Sequence, residues 1–276
     1  MAQICADSLG VSMDAVTIYH GNTDYIPFGG GTYGSRGTVM GGNAVHLACQ
    51  NMKERILSLA STYLDTEPAN LVLQTGEIFR KGAEQGPALL SLGEIAGLAE
   101  NPGFNEEGSG TLEITAYFEA DQLTFSYGSH AAHVAVDPET GKVTILRFTA
   151  VQDAGKAIHP SYVEGQLQGG TVQGLGWALN EEYFMSDDGQ MLNSSFLDYR
   201  MMTSLDLPMI DTVVVEVANP GHPFGVRGIG EGNLVPVMAA VANSVYHAIG
   251  KRINELPLSP GAIMDAIEGN GNTTST

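Results

Sequence analysis

The stretch Gly225-Val226-Arg227-Gly228-Ile229-Gly230-Glu231-Gly232-Asn233-Leu234-Val235-Pro236 sets one carboxylate inside a glycine-dense loop that leads into an apolar helical pattern. Gly225, Gly228, Gly230 and Gly232 let the backbone reach conformations closed to other residues and approach a bound group closely. Val235, Ala239, Ala242, Val245, Tyr246 and Ile249 then recur at helical spacing, and Gly250 stands where a C′ glycine would stop the helix. Asn233 or Glu231 is expected to cap the first turn, where Pro236 is tolerated. Glu231 is therefore either a cap or a catalytic base.

Two further glycine-rich loops lead into expected helices. One holds Asp24, Gly29, Gly30, Gly31, Gly34, Ser35, Arg36 and Gly37; the other holds Asp153, His159, Glu164, Gly165, Gln166, Gln168, Gly170 and Gln173. Three loops of this kind suit one large anionic ligand held by backbone N–H groups and amide side chains.

Together the loops resemble the molybdenum-binding subunit of the xanthine dehydrogenase and aldehyde oxidase family, which includes aerobic carbon monoxide dehydrogenases. The resemblance runs over about residues 2–260 and rests on the segments 20–38, 163–176 and 225–236, with 253–260 near the end. It implies an α+β fold of mixed sheets with packed helices, as the C-terminal part of a molybdopterin-binding domain spanning 1–268. A subdomain boundary is expected near 101–110, and 269–276 reads as a flexible tail.

The resemblance also implies hydroxylation of a carbon centre, with water as oxygen source, at molybdenum held by a pterin dithiolene. The substrate class is an aldehyde, an N-heterocycle or a related small carbon centre. By its motif position Glu231 takes the base role, and removing a proton is work that a carboxylate does better when held out of water. Cofactor contacts carry over to Gly34, Ser35, Arg36, Gly37, Gln166 and Gly230, with Gln173 and Asp153 as weaker choices. The chain itself is expected to supply no metal ligand, and the cytosine dinucleotide form of the pterin is among those open to it. Fe-S clusters and FAD are expected on partner subunits. The tyrosine-containing form of the 31–36 loop resembles the carbon monoxide dehydrogenase branch more than the xanthine branch.

In one respect the sequence departs from the family. Molybdenum subunits of this kind are far longer, and their earlier half carries a glycine–phenylalanine pterin loop, a Gly-Gln-Gly element and a substrate-selecting loop absent here. The chain is expected to be a fragment, or one piece of a subunit split in two, that needs the N-terminal half to retain cofactor. The alternative is a non-catalytic fragment or assembly partner of such a complex.

Composition limits the choice independently. The 276 residues carry 12 Lys+Arg against 31 Asp+Glu, a net charge of −19. That excess argues against nucleic acid or an anionic membrane surface as partner, since phosphate binding needs a basic face. Cys5 and Cys49 lack a C-x-x-C partner, so neither an Fe-S cluster nor a zinc site is expected within the chain. No stretch approaches 18 apolar residues and no basic leader opens the sequence, so a cytoplasmic protein without a membrane span is expected.

Weaker motifs fare less well. Gly29, Gly31 and Gly34 satisfy G-x-G-x-x-G, but Pro27-Phe28 precede them and no βαβ frame surrounds them, against a dinucleotide fold. His130 and His133, three apart, could ligate a metal but have no third ligand at a helpful distance, so one reads rather as a hydrogen-bonded core or interface residue, and His159 as structural. Ser35 lies outside a nucleophile elbow. Asp187-Asp188 reads as a solvated turn, and Asp198-Tyr199-Arg200 as structural or substrate-side. Helices are expected at 3–9, 39–64, 91–99, 161–180, after 231 and at 260–268. Strands are expected at 15–20, 71–74, 77–80, 111–120, 131–137, 143–152 and 211–217, with a hairpin at 186–189 and no βαβ regularity.

Overall fold

The computed structural model describes residues 1–26, 28–101, 111–120 and 123–270. The chain divides into two compact units, Met1–Leu123 and Thr124–Thr276.

The first unit contains helix α1 (Ala2–Leu9), α2 (Gly42–Leu64), strands β1 (Leu71–Gln74), β2 (Glu77–Arg80) and β3 (Leu90–Ser91), and α3 (Leu92–Glu100). Along α2, Cys49, Ile56 and Leu59 are buried, while Tyr63 at its end is half exposed. Ile56, Leu59 and Ala60 pack with Leu71, Leu73, Ile78, Leu90, Ile95 and Ala99 into the unit's core. Thr75 and Gly76 both take positive φ (53° and 79°) in the turn that sets Gln74 opposite Glu77. That backbone matches the strand twist in a two-residue hairpin. Ser91 and Glu94 close a capping box at the start of α3.

In the second unit β4 (Gly128–Val136), β5 (Val143–Asp153) and β6 (Ile210–Val215) form one sheet in that order. Helices α4 (Pro160–Leu179) and α5 (Val235–Ile249) pack on the sheet and on each other, and α6 (Pro260–Glu268) follows. Phe148, Ala150, Leu175, Ala178, Val237, Val241, Val245, Leu258 and Ile263 make the core. Close approach of α4 to α5 depends on glycine: a Cβ on Gly174 would lie 2.6 Å from Cβ of Val237. One on Gly170 would run into the Asn233 side chain.

The mixed α+β architecture agrees with the sequence reading, with local differences. Residues 15–20 form no strand; a short 3-10 turn, Met13–Ala15, ends there. Residues 111–120 are likewise outside any ladder, although their side chains alternate. An alternating pattern specifies a face, and the hydrogen-bonding neighbour must come from elsewhere. The expected hairpin at 186–189 reduces to a single bridge, Met185 with Met191. β5 and β6 pair in parallel through a crossover containing α4, so one strand–helix–strand unit is present after all. Helix α5 begins at Val235 with Leu234 as N-cap and no side-chain cap, so neither Asn233 nor Glu231 caps it. The boundary expected near 101–110 and most of the 269–276 tail fall outside the described residues. Among the described residues no helix is long and apolar enough to cross a membrane.

Candidate functional site

The glycine loop before α5 is anchored by a buried charge pair that sequence reasoning did not single out. Arg227 Nε lies 3.0 Å from Asp153 Oδ2 at the end of β5, with side chains only 14% and 10% exposed. Asp153 Oδ1 also accepts from the N–H groups of Gly155 (2.9 Å) and Val217 (3.0 Å). Arg227 donates further to the carbonyls of Val217 (3.1 Å) and Phe125 (2.8 Å). Each side of the ion pair is thus additionally hydrogen-bonded, the condition under which a buried charge is tolerable. Gly155 and Val226 form a bridge, and a Cβ on Gly155 would collide with the carbonyl of Gly225. Asp153, a weaker cofactor candidate, thus has a full set of internal partners. The clue was a lone arginine in a glycine loop of a chain with only 12 Lys+Arg.

Beyond this anchor the loop meets α4. Gln166 Nε2 donates to the carbonyl of Gly230 across 3.0 Å. Two of the residues expected at the cofactor are therefore adjacent, one on each element. Asn233, wholly buried, donates from Nδ2 to the carbonyl of Gln166. Between these contacts stands Glu231, whose side chain is exposed. The drying expected to strengthen it as a base is not supplied by the described residues of this unit. Gln166 and Gln173 are also exposed.

In the first unit, residues 28–34 and 36–38 are exposed and Ser35 is half-buried. Gly31, Gly34 and Ser35 take positive φ (80°, 63° and 50°). A Cβ on Gly29, Gly31, Gly34 or Gly37 would meet nothing within 4 Å. The Arg36 guanidinium lies over the Tyr33 ring at 4.3 Å. Gly37 opens a turn, Gly37–Gly41, that runs directly into α2.

The remaining candidates have local roles. His130 is not hydrogen-bonded as expected: both ring nitrogens are buried without a partner among the described residues, the ring packs edge-on against Phe148 at 5.7 Å, and burial pushes its pKa below the usual histidine value. His133 stands opposite Arg147 in the β4–β5 ladder. His159 stacks on Tyr162 at 3.9 Å beside the start of α4. Asp188 accepts from Gln190 Nε2 at 3.0 Å within its turn. Asp198 accepts from Ser195 Oγ at 2.7 Å, and the Tyr199 hydroxyl donates to Glu181 at 2.8 Å, a bond that raises the phenol's pKa. Among the described residues no group of three or more His, Cys, Asp or Glu could hold a metal ion.

Comparison with known proteins converges on one group. A family model described as a molybdopterin cofactor-binding domain matches residues 1–208. The chain is 35% identical over 276 residues to the 6-hydroxypseudooxynicotine dehydrogenase complex subunit gamma of Paenarthrobacter nicotinovorans, covering 98% of this chain and 34% of that protein. It is 34% identical over 261 residues to the xanthine dehydrogenase molybdenum-binding subunit of Escherichia coli O157:H7, covering 94% and 34%. A carbon monoxide-reduced Cu,Mo-CO dehydrogenase superposes with a TM-score of 0.85 at 28% identity, covering 98% of this chain and 34% of that one. The chain thus spans about a third of the length of these relatives. With three-quarters of its residues under one family model and its fold shared along nearly its whole length, the chain belongs to the molybdopterin cofactor-binding domain family of the xanthine dehydrogenase and carbon monoxide dehydrogenase group.

Proposed function

We propose that this chain is the C-terminal, base-bearing and cofactor-contacting portion of a molybdenum hydroxylase that oxidises an aldehyde, an N-heterocycle or a related small carbon centre. The observation that carries the reading is the 3.0 Å bond from Gln166 to the Gly230 carbonyl. It sets two expected cofactor contacts beside the only carboxylate of the glycine loop.

The residues present fit a large anionic pterin. In the first unit, backbone at Gly31, Gly34 and Gly37 stands exposed with no neighbour where a Cβ would be. The exposed glycine backbone can therefore come close to a phosphate or pterin edge, and the Arg36 guanidinium can fork onto phosphate oxygens. Gln166 has a second amide hydrogen and its oxygen left for the ligand after serving Gly230. When bound, the molybdenum pterin would supply oxygen transfer and two-electron redox chemistry. Glu231, as carboxylate, accepts the proton lost by the attacking oxygen; its exposure here means that water must be excluded by substrate and by parts of the subunit beyond this chain. Fe-S and FAD subunits are the proposed electron route, and the cytosine dinucleotide is one form the pterin would take. The cytoplasm is the proposed compartment.

Glu231→Gln in the assembled enzyme should lower kcat by about 10²–10⁴ while molybdenum content stays normal. Unchanged turnover would instead favour a non-catalytic assembly role.

A further inference from the structure

Asn233 reads in the sequence as a helix cap, yet its side chain turns away from α5 and crosses to α4. It is wholly buried and donates to the backbone carbonyl of Gln166. Gln166 in turn reaches back with its side chain to the carbonyl of Gly230. One residue of α4 therefore grips the loop twice, once on each side of Glu231. The intervening backbone is confined as well, since a Cβ on Gly232 would lie 2.6 Å from Ser126 Oγ. The site is built for the asparagine: Gly170, one turn along α4 from Gln166, has no Cβ because Asn233 occupies that space.

We infer that Asn233 is a positioning residue for Glu231, acting through Gln166, so that the acid projects from a backbone fixed before substrate arrives. The inference rests on the reading of Glu231 as the base and adds the means by which it is aimed. A reacting group held in place avoids an ordering cost at the moment of reaction, and small displacements are expensive in rate. A conventional cap would only stabilise α5; this arrangement joins the loop to a second element. Gln166 acquires two duties, since the side chain expected at the cofactor is the one that holds the acid's loop. Occupancy of the cofactor site and the placement of Glu231 then share a single side chain.

Two variants test this, with hydrogen–deuterium exchange on the full chain and kinetics on the assembled enzyme. Asn233→Leu keeps the number and branching of side-chain heavy atoms and removes the donor; Gln166→Met, at an exposed position, removes the other rung without touching the core. Exchange across 228–234 is expected to rise about tenfold in Asn233→Leu and about threefold in Gln166→Met, with 237–245 unchanged. In the assembled Asn233→Leu enzyme, kcat should fall about tenfold with KM within about twofold and molybdenum content normal. Unchanged exchange at 228–234 in both variants overturns the clamp. So does equal loosening of 237–245, the mark of a purely structural role. Loop protection lost with kcat unchanged overturns the positioning role, whereas full turnover in Glu231→Gln overturns the underlying reading of Glu231 instead.

Discussion

The loop at 28–38 and the loop at 225–234 look alike as strings of glycine, and the structure gives their glycines opposite reasons. In the first, added Cβ atoms at Gly29, Gly31, Gly34 and Gly37 would meet open space. In the second loop and on the segments packed against it, several would strike something: Gly232 the Ser126 hydroxyl, Gly155 the carbonyl of Gly225, Gly170 the Asn233 amide. Glycine in the first loop keeps a backbone surface accessible and turnable. Glycine around the second keeps chain segments close enough to lock. Composition alone cannot separate an open cradle from a closed joint.

The comparison breaks hardest at the joint's buried charge. Arg227→Met leaves Asp153 buried without its cation, and should cost about 3–5 kcal/mol of stability in urea unfolding of the second unit. A small loss would mean that Asp153 reaches water. Smaller effects sharpen the contrast between the glycines. Gly174→Ala drives a methyl into Val237, and the overpacking of about 1–3 kcal/mol should outweigh the roughly 1 kcal/mol gained in helix propensity. Gly37→Ala, with no positive φ and nothing to strike, should be neutral or stabilising by up to about 1 kcal/mol. Equal losses at the two sites would erase the distinction. The smallest expected effect is on pH. Burial holds the folded-state pKa of His130 below its unfolded value, so its contribution is complete above pH of about 6.5 and declines as pH falls through that depressed pKa. His130→Phe should flatten that part of the pH–stability profile; an unaltered slope would remove His130 as its source.

What the sequence revealed was local. The strands at 71–74 and 77–80 and the helices over 39–64 and 91–99 are each specified by neighbouring residues, and each is found close to where periodicity placed it. The misses were relations at a distance. Residues 15–20 and 111–120 have strand-like patterns, but a ladder needs a partner that no pattern announces. Asn233 has the composition of a cap, and only the nearness of α4 diverts its amide to Gln166. Glu231, Gln166 and Gly230 could be named as candidates because the motifs carry them, and the structure joins Gln166 to Gly230; Arg227 lies in the same motif as Glu231, but its partner Asp153 is 74 positions away in the numbering. The dryness expected around Glu231 is not found among the described residues of its unit, where the side chain is exposed.

The parallel pairing of β5 with β6 has an evolutionary consequence. Because both strands are registered side by side, from Phe148 opposite Ile210 to Asp153 opposite Val215, the excursion between α4 and β6 leaves the sheet and returns to it. That excursion presents Tyr183, Phe196, Leu197 and Leu205 outward, with Leu205 96% exposed. Its length and surface can drift while the sheet ends at 153 and 215, and the acid-bearing loop stitched to them, stay put. Such an arrangement lets one peripheral stretch be rewritten without disturbing the strands on either side of it.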